Sequence, residues 1–207
     1  MILYRPVGLE EMRLVYQSEL RAFPPRLPEQ PIFYPVLTIA YARQIARDWN
    51  TKTGTQAGYV TRFNVKDSYI SQFERHIVGG RIHEELWVPA GQLDDFNANI
   101  VGVIAVIEAY FGKDFRGYMP PDGPWGKKDA VAQFIELAIS LDYNGQDFHG
   151  AMTWHRDAVF LNYSFWATHD FSENDIGLSA RNRVLDAIQF MWSGAFPTIQ
   201  LPEIEQR

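Results

Sequence analysis

Apolar residues recur along this chain with two different periods, and the switches between them mark its elements. Leu9, Met12, Val15, Tyr16 and Leu20 fall three or four apart, which predicts a helix over 9–20. Ile39, Ala42, Ile45, Ala46 and Trp49 repeat that spacing and predict a helix over 38–49 with those five on its buried face. Val131, Phe134, Ile135, Ala138 and Leu141 predict a third helix over 130–141, and Val184, Leu185, Ile188, Met191 and Trp192 a fourth over 178–192, with Gly194 as its stop. Period two appears over 58–65, and a β-branched run fills 100–111; both read as strands. Shorter strands are expected over 2–4 (stopped by Pro6), 74–78 and 84–88, with a turn at Gly79-Gly80. A short helix is expected over 67–73, and a turn or short helix over 90–96. Residues 153–166 alternate through Trp154, Arg156, Ala158 and Phe160 and read as one or two strands.

Two irregular stretches interrupt this pattern. Residues 21–35 carry Pro24, Pro25, Pro28, Pro31 and Pro35, which fix φ and remove donors, so the segment is a stiff extended loop. Residues 113–128 are rich in glycine, proline and charge and read as a linker or long loop. They divide the chain into a region 1–112, the linker 113–128 and an aromatic-rich region 129–207 that the pattern gives as α+β.

Composition narrows the class. With 46% hydrophobic and 21% charged residues the chain is globular rather than disordered. A net charge of -6 argues against an extended nucleic-acid surface. The absence of cysteine excludes disulfides and thiol chemistry and suits a reducing compartment. No apolar run is long enough for a membrane span, and the first residues lack a leader pattern, so a cytoplasmic protein without membrane partners is expected. His149, His155, His169 and Asp170 fit no familiar metal-ligand spacing, so no metal is expected.

The most informative segment is His83-Glu84-Glu85-Leu86-Trp87-Val88-Pro89. Side chains alternate along a strand, so with Leu86 and Val88 toward the core, Glu85 shares the other face with His83 and Trp87. That combination makes a polar cleft with an aromatic wall; an edge strand with solvated charges is the plainer alternative.

Three segments in order, Leu3 to Gly8, Gly58 to Phe63 and Glu84 to Pro89, resemble the ADP-ribosyltransferase superfamily. More closely, residues from about 3 to 112 are similar to short bacterial proteins described as ADP-ribosylation/crystallin J1-like. They share Tyr-Arg-Pro-Val-Gly, Ala-Phe-Pro-Pro-Arg-Leu-Pro-Glu-Gln-Pro-Ile-Phe-Tyr-Pro-Val, Gln-Ile-Ala-Arg-Asp-Trp-Asn and Glu-Leu-Trp-Val-Pro-Ala. The resemblance implies an α+β fold with a split β-sheet core and flanking helices; the pattern beyond it adds a C-terminal α/β extension. It implies NAD as substrate, cleavage of the nicotinamide–ribose bond, and transfer of ADP-ribose to a protein or nucleic-acid acceptor. By motif position Glu85 is the catalytic carboxylate, which would stabilise the oxocarbenium ion that develops on the ribose. His83, two residues before it, stands where arginine- or asparagine-modifying relatives carry Glu or Gln. Arg5 would hold a phosphate or ribose, and Arg26 is a second phosphate contact. Tyr34, Tyr59 or Trp87 would stack on the nicotinamide, and Thr61 is the hydroxyl that remains where relatives carry Ser-Thr-Ser.

Arg5 and Glu85 facing one cleft on adjacent strands would favour the transferase reading; separation onto opposite faces would remove it. The departures at His83 and Thr61 leave open another acceptor, plain NAD hydrolysis or loss of catalysis. Two other functions stay open. One is a non-catalytic module on the same fold that binds a nucleotide, or a protein partner through the C-terminal region. The other is a small ribonuclease using His83 and Glu85 as acid and base with Arg5 on phosphate.

Overall fold

The computed structural model describes residues 1–80 and 82–203. The chain divides into two compact units, Met1–Lys113 and a second that begins at Asp114. In the first, the elements run β1 (Ile2–Val7), α1 (Leu9–Gln17), β2 (Ile32–Phe33), α2 (Ile39–Asp48), β3 (Ala57–Val65), α3 (Asp67–Ile70), β4 (Arg75–Ile77), β5 (Glu84–Leu86), β6 (Val88–Pro89), α4 (Leu93–Ala98) and β7 (Ile100–Phe111).

Strands β1, β3 and β7 form an antiparallel sheet in that order. Val36 extends it on the β1 side: it bridges Tyr4 on one hand and Glu85 of β5 on the other, and β5 pairs with β4. β2 and β6 form a separate two-stranded pair. β1 continues through Pro6, where a stop was expected. The Tyr4 N–H and C=O bond to Val36 at 2.9 and 2.8 Å, away from β3. Pro6 has the same orientation two residues on, so its missing N–H costs the β3 ladder nothing.

Helix α2 covers one face of this sheet. Thr38 caps it by accepting the Tyr41 N–H at 3.2 Å. Ala42 and Ala46 pack on Val36, Val60 and Ile107. The approach is close at Gly58, where a Cβ would stand 2.1 Å from the Ala46 carbonyl oxygen. Trp49, expected on the buried face, lies just past the helix end and is exposed. The opposite face packs Leu3, Phe23, Phe33, Phe63 and Phe96, all buried, with Phe23 4.9–5.0 Å from Phe33 and Phe63. α1 stops short of Leu20 because Glu19 and Leu20 both turn left-handed, at φ 58 and 61. The Ser18 hydroxyl takes the next free donors, the N–H groups of Arg21 and Ala22.

The second unit contains α5 (Ala130–Tyr143), α6 (Gly145–Trp154), α7 (Arg156–Thr168) and α8 (Leu178–Ala195), and no strand among its described residues. The strands expected over 153–166 are therefore corrected to helix, and the α/β extension to an all-helical one. All residues from Ala158 to Ala167 are buried. A helix enclosed on every side has no polar stripe, so it shows no 3.6-residue period.

The stretch from Asp114 to Lys128 belongs to this second unit and is not a free linker. Trp125 is buried and lies flat on His155, 4.6 Å between centroids at 6°. Buried Asn162 accepts the Tyr118 N–H at 2.7 Å, and Gln133 Nε2 donates to the Lys128 carbonyl at 2.7 Å. No described helix is long and apolar enough to cross a membrane.

Candidate functional site

Cross-strand register fixes which side chains share a face. Tyr4, Val36, Glu85 and His76 stand directly opposite one another in succession, so all four point to the α2 side. Alternation places His83 and Trp87 with them, and the contacts agree. The Trp87 indole Nε1 donates to Glu85 Oε1 at 2.7 Å. His76 stacks on Trp87 at 4.1 Å, and Tyr34 meets the edge of Trp87 at 6.1 Å. His83 stacks on Tyr41 of α2 at 4.4 Å. Glu85 is only 8% exposed, a carboxylate set into a wall of aromatic rings. Burial pushes the Tyr41 phenol up, and the Glu85 charge adds to that. Leu86 and Val88 face the core as expected, and the strand is broken at Trp87 into β5 and β6.

His83 is held rather than free. Its Nε2 lies 2.9 Å from Gln44 Oε1, and its Nδ1 lies 3.1 Å from the Gly80 N–H. Its Nδ1 also lies 3.0 Å from the Val78 carbonyl oxygen. This histidine closes the β4–β5 turn against α2.

Arg5 faces the other way. It is adjacent to Tyr4, so its side chain lies on the α1 side of the sheet, opposite Glu85. Its guanidinium grips Glu11 of α1 with two bonds, Nε to Oε1 at 2.6 Å and Nη2 to Oε2 at 3.1 Å. A third bond goes to the Tyr34 carbonyl at 3.1 Å, and the group lies 4.5 Å above the Phe33 ring. Arg5 and Glu85 thus lie on opposite faces, so the arrangement that the transferase reading required is not met.

Thr61 and Tyr59 share the inward fate of Arg5. Thr61 is fully buried and donates to the Arg5 carbonyl at 2.8 Å, so its hydroxyl ties β3 to β1. Tyr59 is buried with its edge toward Phe111, and burial raises its phenol pKa strongly. Neither offers a ligand a surface. Arg26 joins the Arg5–Glu11 pair, with Nη1 3.8 Å from Glu11 Oε1.

Of the expected residues, the structure gathers Glu85, His83, Trp87 and Tyr34 and sets Arg5, Thr61 and Tyr59 apart from them. It adds Tyr41 and His76, which no motif marked, and Gln44, which opens the Gln-Ile-Ala-Arg-Asp-Trp-Asn motif but was given no role. His76 was legible only through the β4–β5 pairing, and Tyr41 and Gln44 only through the packing of α2. Among the described residues no group of three or more His, Asp or Glu side chains is placed to hold a metal. No family model, curated protein or solved structure matches the chain.

Proposed function

We propose that the first unit is a module on an ADP-ribosyltransferase-like fold whose NAD site is the Glu85 face alone, without the Arg5 contact that the resemblance implied. The observation that carries this reading is the Glu85 carboxylate, nearly buried, oriented by the Trp87 indole and walled by Tyr34, His76, Tyr41 and His83. Aromatic faces attract a flat cation, and the nicotinamide of NAD is one. A fixed carboxylate beside the ribose stabilises the positive charge that grows there as the glycosidic bond breaks. In this reading Glu85 acts on the ribose, Trp87 and Tyr34 hold the nicotinamide ring, and His83 positions the strand. Arg5 supports the fold and does not touch the substrate. The acceptor of ADP-ribose is a protein, a nucleic acid or water.

Purified protein should release nicotinamide from NAD, and Glu85→Gln should lower that rate by roughly 100- to 1,000-fold with the fold intact by circular dichroism. Equal release by both proteins, or by neither, contradicts an enzymatic Glu85.

A non-catalytic module on the same fold is the second reading. The commitment of Arg5 to Glu11 favours it, since the phosphate contact implied by the resemblance is already occupied by a carboxylate. It predicts NAD binding by calorimetry without nicotinamide release. The ribonuclease reading loses its pair: His83 is held by Gln44 and Gly80, and Arg5 is on the opposite face.

A further inference from the structure

Two histidines stand on the Glu85 face, and they are held differently. His83 has both ring nitrogens engaged, Nε2 by Gln44 and Nδ1 by the Val78 carbonyl and the Gly80 N–H. His76 is half-buried, and among the described residues nothing hydrogen-bonds its ring or pairs with it as an ion. It stands directly opposite Glu85 in the β4–β5 pair. Residues so placed have Cα atoms roughly 5 Å apart. Stacking alone orients the imidazole, 4.1 Å from the Trp87 ring at 20°. The same indole holds Glu85 Oε1 at 2.7 Å. An unengaged imidazole and an oriented carboxylate therefore share one tryptophan.

That tryptophan gives one face to His76. It is 41% exposed and Tyr34 meets it edge-on, which leaves its other face for a flat ring. On the NAD reading, a nicotinamide seated there has the indole between itself and His76. Inverting displacement at a sugar carbon brings the nucleophile in on the side away from the leaving group, and a base on that side takes its proton. His76 stands on that side.

We infer that His76 is the general base of the Glu85 site and that the acceptor is a hydroxyl group, of water, an alcohol or a sugar. The inference rests on the NAD reading of Glu85. The bond from ribose C1′ to the nicotinamide nitrogen breaks, and its electron pair leaves with neutral nicotinamide. The acceptor oxygen bonds C1′, and its proton passes to His76. A protonated hydroxyl is a weak nucleophile and needs such a base. A guanidinium acceptor needs a second carboxylate on this face instead, and Glu84, the adjacent one, points to the other face. The other titratable groups on the His76 side are Glu85, His83, Tyr4, Tyr34 and Tyr41. Glu85 serves the ribose, His83 is held, and the rest are phenols, a class that gives up its proton only near about pH 10.

The test follows nicotinamide release from NAD by the full chain as a function of pH. Wild-type kcat should rise as pH carries an imidazole from its cation to its neutral form. His76→Gln should lower kcat roughly 100-fold, change KM by no more than about twofold and abolish that rise. His76→Ala should regain activity with added imidazole, which a packing role would not give. With methanol present, wild type should form O-methyl ADP-ribose beside ADP-ribose, and agmatine, a guanidinium probe, should stay unmodified. A wild-type pH profile in His76→Gln, no rescue of His76→Ala, or agmatine modified in preference to methanol overturns the inference and leaves Glu85-dependent release standing. Absence of release from wild type overturns it together with the NAD reading.

Discussion

One step along a strand carries a side chain from one face of a sheet to the other, and Arg5 stands one step from Tyr4. That parity separates it from Glu85 and hands it to Glu11. The pair is largely buried, at 9% and 22% side-chain exposure. Arg5→Met removes both bonds to Glu11, leaving Arg26, 3.8 Å away, as its remaining cation, and should cost about 1–3 kcal/mol in urea unfolding. Arg5→Met with Glu11→Leu and Arg26→Met, which removes all three charges, should recover most of that loss. If the triple variant is as unstable as the single one, the ion cluster is not what Arg5 contributes. The grouping of Glu85 with His83 and Trp87 was legible because period two is local. The face on which Arg5 lies was not, because it depends on the Val36 bridge, which no local pattern announces.

Elements were readable where one side met water. α2 falls close to its periodic stripe and β7 to its β-branched run, while α7 has no polar stripe and its true form emerges only from packing. The seat of α2 on β3 rests on Gly58. Gly58→Ala places a Cβ against the Ala46 backbone, which cannot turn aside as a side chain does. It should destabilise the chain by about 3 kcal/mol or more, measured by chemical unfolding; a loss below about 1 kcal/mol would mean that helix and strand part easily. In the second unit, α6 and α7 meet at His155, which is buried against Trp125 and accepts its backbone N–H at 3.3 Å. Burial lowers the His155 pKa, partly opposed by Asp157 and Glu136 and reinforced by Lys128. The neutral form is thus the folded one. The unfolded chain binds the proton more readily, so this stability is complete above the unfolded histidine pKa, about 6.5. It is lost as pH falls through the folded value. His169 is lowered by burial too and adds to the same slope. Thermal midpoints should fall from pH 7 to pH 5, and His155→Gln should flatten part of that fall. An unchanged slope would assign the acid sensitivity elsewhere.

For the whole molecule, the two units differ in how they are built. The first takes its order from strand register across Tyr4, Val36, Glu85 and His76, and the second from buried aromatic rings and the Asn162–Gln133 bonds that hold its entry loop. The sequence pattern set the boundary near residue 112. It gave residues 113–128 as a linker or long loop because glycine and proline dominate there; they form an irregular loop, and Trp125 secures it to the helices. The central claim is that the Glu85 face is where NAD binds. The most direct measurement is a crystal structure of Glu85→Gln grown with NAD. The account predicts the nicotinamide ring against Trp87 and Tyr34 with the ribose beside residue 85. NAD seated on the α1 side of the sheet, or no NAD at millimolar concentration, would contradict it.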